Sequence, residues 1–141
     1  MSRTFSLALV FLFVFGLVSS CENMSCGCDP APSYSANALL YTWQLDEIAI
    51  GGQSAAKGND IKDRYKLQFK NDGAYTQTQL LDNSTTAGTW KLTGQGNRLL
   101  EITDHKGTTN TYNLGNVDNS TLVYSFINKE QLLEQRIFSR Q

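Results

Sequence analysis

The fold is decided at residues 64–75, which read RYKLQFKNDGAY. Tyr65, Leu67 and Phe69 alternate with basic and amide side chains, which is the period of a β-strand with one buried face and one wet face. The triplet Asn71-Asp72-Gly73 then favours a tight turn closed by a glycine in the left-handed conformation. Together these patterns predict a β-hairpin.

The register of this hairpin follows from the length of its loop. If residues 71–73 form a three-residue loop, Phe69 lies opposite Tyr75, and Gln77 and Gln79 share the buried face. Buried amides need partners, so this register implies water, mutual hydrogen bonds or a polar ligand group inside the fold. A register shifted by one residue would place both glutamines outside.

The same pattern continues through the rest of the chain. Short runs with one apolar face alternate with clusters of Gly, Asn, Asp and Ser, and no proline follows Pro32. A second tight hairpin is predicted at Asp104-His105-Lys106-Gly107. The candidate strands are residues 40–50, 64–70, 74–81, 88–93, 99–104, 109–117, 121–127 and 132–139.

Eight sequential strands can form a flat sandwich or close into a barrel. Closure removes exposed sheet edges in a chain that has little helix to cover them. We therefore predict an all-β fold, an eight-stranded antiparallel up-and-down barrel. The longest break, residues 51–62, contains three glycines and could hold a short helix around residues 54–57, or it could stay irregular.

Charge and residue types argue against several functions. The chain has 12 Lys and Arg against 13 Asp and Glu, without a basic cluster, so we expect no nucleic-acid partner. The single histidine, His105, lies in a predicted turn with no nucleophile partner, and the carboxylates are scattered. We therefore expect no catalytic residues, no metal site, no cofactor and no enzymatic activity.

The first twenty residues predict export. Arg3 precedes an apolar run over residues 5–18 that is too short to cross a bilayer alone. Residues 18–21, Val-Ser-Ser-Cys, resemble the lipobox at which bacterial lipoprotein machinery acylates the cysteine sulfur and cleaves before it. This resemblance implies a signal peptide at residues 1–20 and a lipidated, palmitate-type membrane anchor at Cys21.

The residues after Cys21 are expected to connect the anchor to the fold. Residues 21–38 carry Gly, Pro, Ser and Asn without an apolar period, so we assign them to a tether and residues 39–141 to the barrel. Cys26 and Cys28 could pair in an oxidising compartment. So small a loop would contribute at most about 1.6 kcal/mol, too little to matter for the barrel.

Four local patterns, taken in order, resemble one family. They are Tyr41-Thr42-Trp43-Gln44-Leu45, the hairpin at residues 67–75, Gly88-Thr89-Trp90-Lys91-Leu92, and Leu99-Leu100-Glu101-Ile102-Thr103. Their spacing resembles the lipocalin-like lipoproteins common among Bacteroidetes-type bacteria, over about residues 39–127. The resemblance implies a lipocalin-like barrel. Classical lipocalins carry Gly-x-Trp in the first strand, whereas this chain has it at residues 88–90, in the fourth.

The predicted function is binding of a small apolar or amphipathic ligand inside the barrel, by a protein anchored in the bacterial cell envelope at the outer membrane. Six residues on the predicted inward faces of the strands are candidates for ligand binding: Trp43, Phe69, Tyr75, Gln77, Trp90 and Tyr112. The same aromatic side chains could instead fill the core. The alternative function is then a protein-binding envelope module, an inhibitor or assembly factor, that uses loops at the rim.

Overall fold

The computed structural model describes residues 33–141, which contain nine antiparallel strands. The strands are β1 (Thr42–Ile50), β2 (Gln53–Lys57), β3 (Tyr65–Phe69), β4 (Ala74–Gln79), β5 (Thr85–Thr93), β6 (Leu99–Thr103), β7 (Thr109–Val117), β8 (Thr121–Ile127) and β9 (Leu133–Arg140). Short 3₁₀ turns lie at Ala36–Leu39, Gly58–Asp60 and Gln95–Asn97. No helix within residues 33–141 has the length and hydropathy needed to cross a bilayer.

The sheet closes on itself through its first and last strands. Strands β3 to β9 pair in chain order, β1 pairs with β3, and β1 also pairs with β9. The eight strands β1 and β3 to β9 therefore form a closed antiparallel barrel, which confirms the predicted fold. Closure leaves the barrel strands without a continuous free edge, as argued from the sequence.

Neither alternative for residues 54–57, a short helix or an irregular segment, is correct, because this segment forms β2. Gly51 and Gly52 both have positive φ, +57° and +82°, and turn the chain straight back alongside β1. Strand β1 pairs with β3 only at residues 42–44, so its second half offers free backbone groups to a new neighbour. Strand β2 takes that place, with Glu47 opposite Lys57 and their side chains ion-paired at 3.2 Å between Oε2 and Nζ.

Both predicted hairpins are present, and the first has the register that its three-residue loop predicts. Gly73 has a φ of +81° and closes the first turn, and Gly107 closes the second with a φ of +84°. Phe69 lies opposite Tyr75, and Leu67 lies opposite Gln77. The register shifted by one residue is therefore excluded, and Gln77 faces the interior.

One end of the barrel is closed by the chain segment that precedes β1. Leu39 is fully buried, and the Trp43 indole Nε1 donates a hydrogen bond to its carbonyl oxygen at 3.0 Å. The Tyr34 hydroxyl donates to the Gly115 carbonyl oxygen at 2.8 Å. Tyr34, which the sequence assigns to the tether, thus packs on the barrel, because its ring lies against the core and its hydroxyl is bonded to Gly115.

Gly88 lies where two strands come too close for a side chain. A Cβ at this position would overlap the Thr103 carbonyl oxygen and approach Tyr75 Cε1 to 2.7 Å. We expect Gly88→Ala to lower the free energy of unfolding by at least the roughly 1–3 kcal/mol typical of overpacking, measured by urea titration. Gly115→Ala is the matched control, since its Cβ would meet Val123 at an ordinary 3.5 Å. Equal stability of the two variants would contradict this account of Gly88.

Candidate ligand-binding site

The two ends of the barrel differ in how they are filled. We call the end covered by residues 33–41 the capped end. The opposite end, the open end, is bordered by the turns at residues 80–84, 104–108 and 128–132. Asn110 pairs with the buried Ile102, and Thr86 pairs with Gln77, so both side chains point to the interior face. Both are nevertheless exposed, which shows that solvent reaches the interior face at the open end.

Four inward-facing side chains form a hydrogen-bonded group that we call the arginine cluster: Tyr65, Tyr124, Glu134 and Arg136. Arg136 Nη1 donates to the Tyr65 hydroxyl at 2.8 Å, and the hydroxyls of Tyr65 and Tyr124 are 2.9 Å apart. Arg136 Nε donates to Glu134 Oε1 at 3.0 Å. Glu134 and Arg136 alternate with the buried Phe138 along β9, which places all three on the inner face.

The guanidinium of Arg136 stays charged within the arginine cluster. Burial alone would lower the pKa of Arg136, but the phenol oxygens of Tyr65 and Tyr124 and the hydrogen bond to Glu134 outweigh burial and raise this pKa above its ordinary value. Burial also raises the pKa of Tyr124 well above its ordinary value, so this phenol stays protonated. Arg136 still has 28% of its side chain exposed. The side chain of this charged residue on the inner face is thus only partly covered by its neighbours.

Aromatic rings surround this guanidinium. Arg136 Cζ lies 5.2 Å from the centroid of the Phe126 ring and 5.8 Å from that of Tyr65, both within the range of cation–π attraction. Tyr112 packs on the same group, with its ring centroid 4.6 Å from Tyr124 and 5.5 Å from Phe126. The site therefore combines apolar ring surface with one cation.

Two further tyrosines lack a hydroxyl partner in the described part of the chain. The hydroxyls of Tyr75 and Tyr112 make no hydrogen bond to any other residue of 33–141, although burial raises the pKa of both groups. Within this range, every buried side-chain nitrogen or oxygen has a partner. These two hydroxyls must therefore lie where water or a ligand can bond to them.

The rim of the open end carries exposed apolar side chains. Leu81 is 86% exposed on the turn after β4. Ile127, Leu132 and Leu133 are also exposed and lie at or within the turn between β8 and β9, on the far side of the barrel. The mouth is thus flanked by apolar groups on two opposite sides.

The six residues proposed from the sequence fall into separate groups. Phe69, Tyr75 and Trp90 form one aromatic group, with ring centroids 5.3 Å apart for Phe69 and Trp90 and 6.4 Å for Phe69 and Tyr75. Trp43 is fully buried against the cap. Tyr112 packs beside the arginine cluster, and Gln77 faces the interior opposite Thr86.

Sequence reasoning missed Arg136 and Glu134. The last strand alternates weakly, because its inner face reads Glu134, Arg136 and Phe138, and charged residues usually mark the outer face. A signal was available in Phe138: if this apolar residue faces the core, the residues two and four positions earlier share its face.

The geometry defines a class of protein: a small antiparallel barrel with one capped end and one accessible end lined by aromatic and a few polar side chains, as in small-molecule binding sites. A family model described as the lipocalin-like domain matches residues 39–124. The chain therefore belongs to the lipocalin-like domain family, which confirms that part of the resemblance. No curated protein matches the chain.

Proposed function

We propose that this protein is a non-enzymatic, membrane-anchored lipocalin-like protein that binds a small apolar or amphipathic molecule through the open end of its barrel. The observation that carries the proposal is the accessible inner face at this end, where Asn110 points inward and is exposed. Membership of the lipocalin-like family supports the same reading.

The chemistry of the open end suits a ligand with an apolar body. Phe126 and Tyr112 offer ring faces, and Ile48 on the neighbouring strand β1 pairs with Arg136 and packs against the core. A few polar groups, Arg136 and the hydroxyls of Tyr75 and Tyr112, stand within this surface. Predominantly apolar walls with a small number of placed polar groups are typical of ligand pockets.

The membrane anchor completes the proposed function. Cys21 and the signal peptide lie outside the described residues, so this part rests on the sequence alone. Lipidation at Cys21 would hold the barrel in the bacterial cell envelope, at the outer membrane. A ligand-binding barrel fixed there would meet small molecules that cross the envelope.

Binding can be tested with the neutral fluorescent probe N-phenylnaphthylamine. We expect saturable binding of one equivalent to the folded protein. Asn110→Trp should weaken it by about tenfold or more, because a large ring would fill the mouth and remove roughly 1.4 kcal/mol of binding free energy. Thr111→Trp is the matched control, since Thr111 is the next residue, is exposed and points outward.

The alternative, a protein-binding envelope module, draws support from the exposed apolar rim around Leu81 and Leu133. A protein that binds no probe, or binds it equally in the Asn110 and Thr111 variants, would refute the barrel site. The rim would then be the better candidate for a binding surface.

A further inference from the structure

The arginine cluster has more hydrogen-bond donors than partners. A guanidinium has five N–H donors. One bonds to Glu134 and one to Tyr65, and the other three meet no acceptor among residues 33–141. The hydroxyls of Tyr65 and Tyr124 share one hydrogen bond, so one phenol proton is also left without an acceptor in this range.

The acceptors of the cluster do not balance these donors. Glu134 is its single carboxylate, and it is bound through Oε1 to the Nε edge of Arg136. Apart from the bond from Nη1 to Tyr65, the N–H groups of the two terminal nitrogens are left to face other groups. Two adjacent N–H donors on a planar cation match the oxygens of a carboxylate or a similar oxyanion.

We propose that the ligand of this barrel is an amphipathic anion whose oxyanion head group enters the open end and binds the free N–H donors of Arg136, which the buried hydroxyls of Tyr65 and Tyr124 hold in place. This inference rests on the proposed ligand-binding function and names the chemical class of the ligand and its orientation. The head group supplies the acceptors that the cluster lacks.

The depth of Arg136 in the barrel sets the orientation of the ligand. Arg136 is three residues inside Leu133 at the rim, about 10 Å along the strand. Beyond it, Trp43, Leu45 and Phe138 are buried and fill the barrel toward the cap. An apolar tail cannot continue inward, so it passes Phe126 and leaves through the open end.

The experiment compares decanoate with decanol, which have the same chain length and differ in charge. Binding to the full chain is measured by competition with N-phenylnaphthylamine at neutral pH. We expect decanoate to bind at least about tenfold more tightly, because a charge-assisted hydrogen bond in a partly buried site is worth roughly 1.4 kcal/mol or more.

Two variants of the cluster should move this preference in opposite directions. Arg136→Gln removes the cation, and the preference for decanoate should fall to about one. Glu134→Gln removes a carboxylate that repels the anion and competes for the guanidinium, so decanoate should bind several-fold more tightly while decanol is unchanged. Arg140→Gln is the control, since it makes the same change at an exposed position of the same strand at the capped end.

Each outcome separates this inference from the function on which it rests. Binding of both ligands with equal affinity would overturn the anionic head group and leave the barrel site standing. A bound probe that neither ligand displaces would overturn the anionic head group alone, whereas a protein that binds no probe would overturn both. If Arg136→Gln does not fold, the Glu134→Gln variant still tests the proposal, because an unchanged affinity for decanoate in that variant would overturn it. An Arg140→Gln variant that loses the preference for decanoate as fully as Arg136→Gln would also overturn it.

Discussion

Replacing Trp43 by alanine is expected to lower the free energy of unfolding by about 3–5 kcal/mol, the range for a buried Trp or Phe truncation. Trp43 is fully buried, and its indole Nε1 holds the carbonyl oxygen of Leu39. Loss of the indole would leave a cavity below the cap and remove the hydrogen bond that holds the cap to the barrel. Such a cost is a large part of the roughly 5–15 kcal/mol that stabilises a typical domain.

Urea titration followed by far-UV circular dichroism measures this loss. Leu81→Ala is the control, because Leu81 is 86% exposed and its truncation should change stability by less than about 0.5 kcal/mol. A loss below about 1 kcal/mol for Trp43→Ala would show that the cap does not pack on the barrel as described.

The barrel was predictable because local signals agree with the global fold. The glycine of Asn71-Asp72-Gly73 adopts the positive φ that its turn requires, and this turn fixes Phe69 opposite Tyr75. Since side chains alternate with a period of two, one fixed pair assigns every other residue of both strands to a face. Few assumptions about contacts between residues distant in the sequence were needed to assign these faces.

Strand β2 was not predictable from its own residues. Gln53–Lys57 has little β propensity and no apolar alternation, and glycines flank it. It forms a strand because the second half of β1 leaves unpaired backbone groups beyond β3, which is a consequence of strand lengths elsewhere in the sheet. Tertiary pairing overrides local preference here.

The candidate site was predicted only in part, for a related reason. Aromatic residues on inward faces were named together, but Trp43, Phe69 and Trp90 are largely buried in the packed interior. In a barrel of eight strands, side chains alone can fill most of the lumen. The remaining space is defined by polar residues on the inner face, and Arg136 and Glu134 look like outer-face residues in sequence.

Replacing Cys21 by serine is expected to move the protein out of the membrane fraction or to leave its precursor uncleaved. The sulfur would carry the acyl chains, and each buried methylene contributes roughly 0.8 kcal/mol to membrane retention, so losing them removes the anchor entirely. Fractionation of cells followed by immunoblotting measures the shift, and mass spectrometry of the N-terminus measures processing. Cys26→Ser and Cys28→Ser are matched controls, because they remove the same atom five and seven residues later and should leave retention unchanged. Normal processing and full membrane retention of the Cys21→Ser protein would refute the anchor, while a shift in all three variants would point to a general effect of cysteine loss.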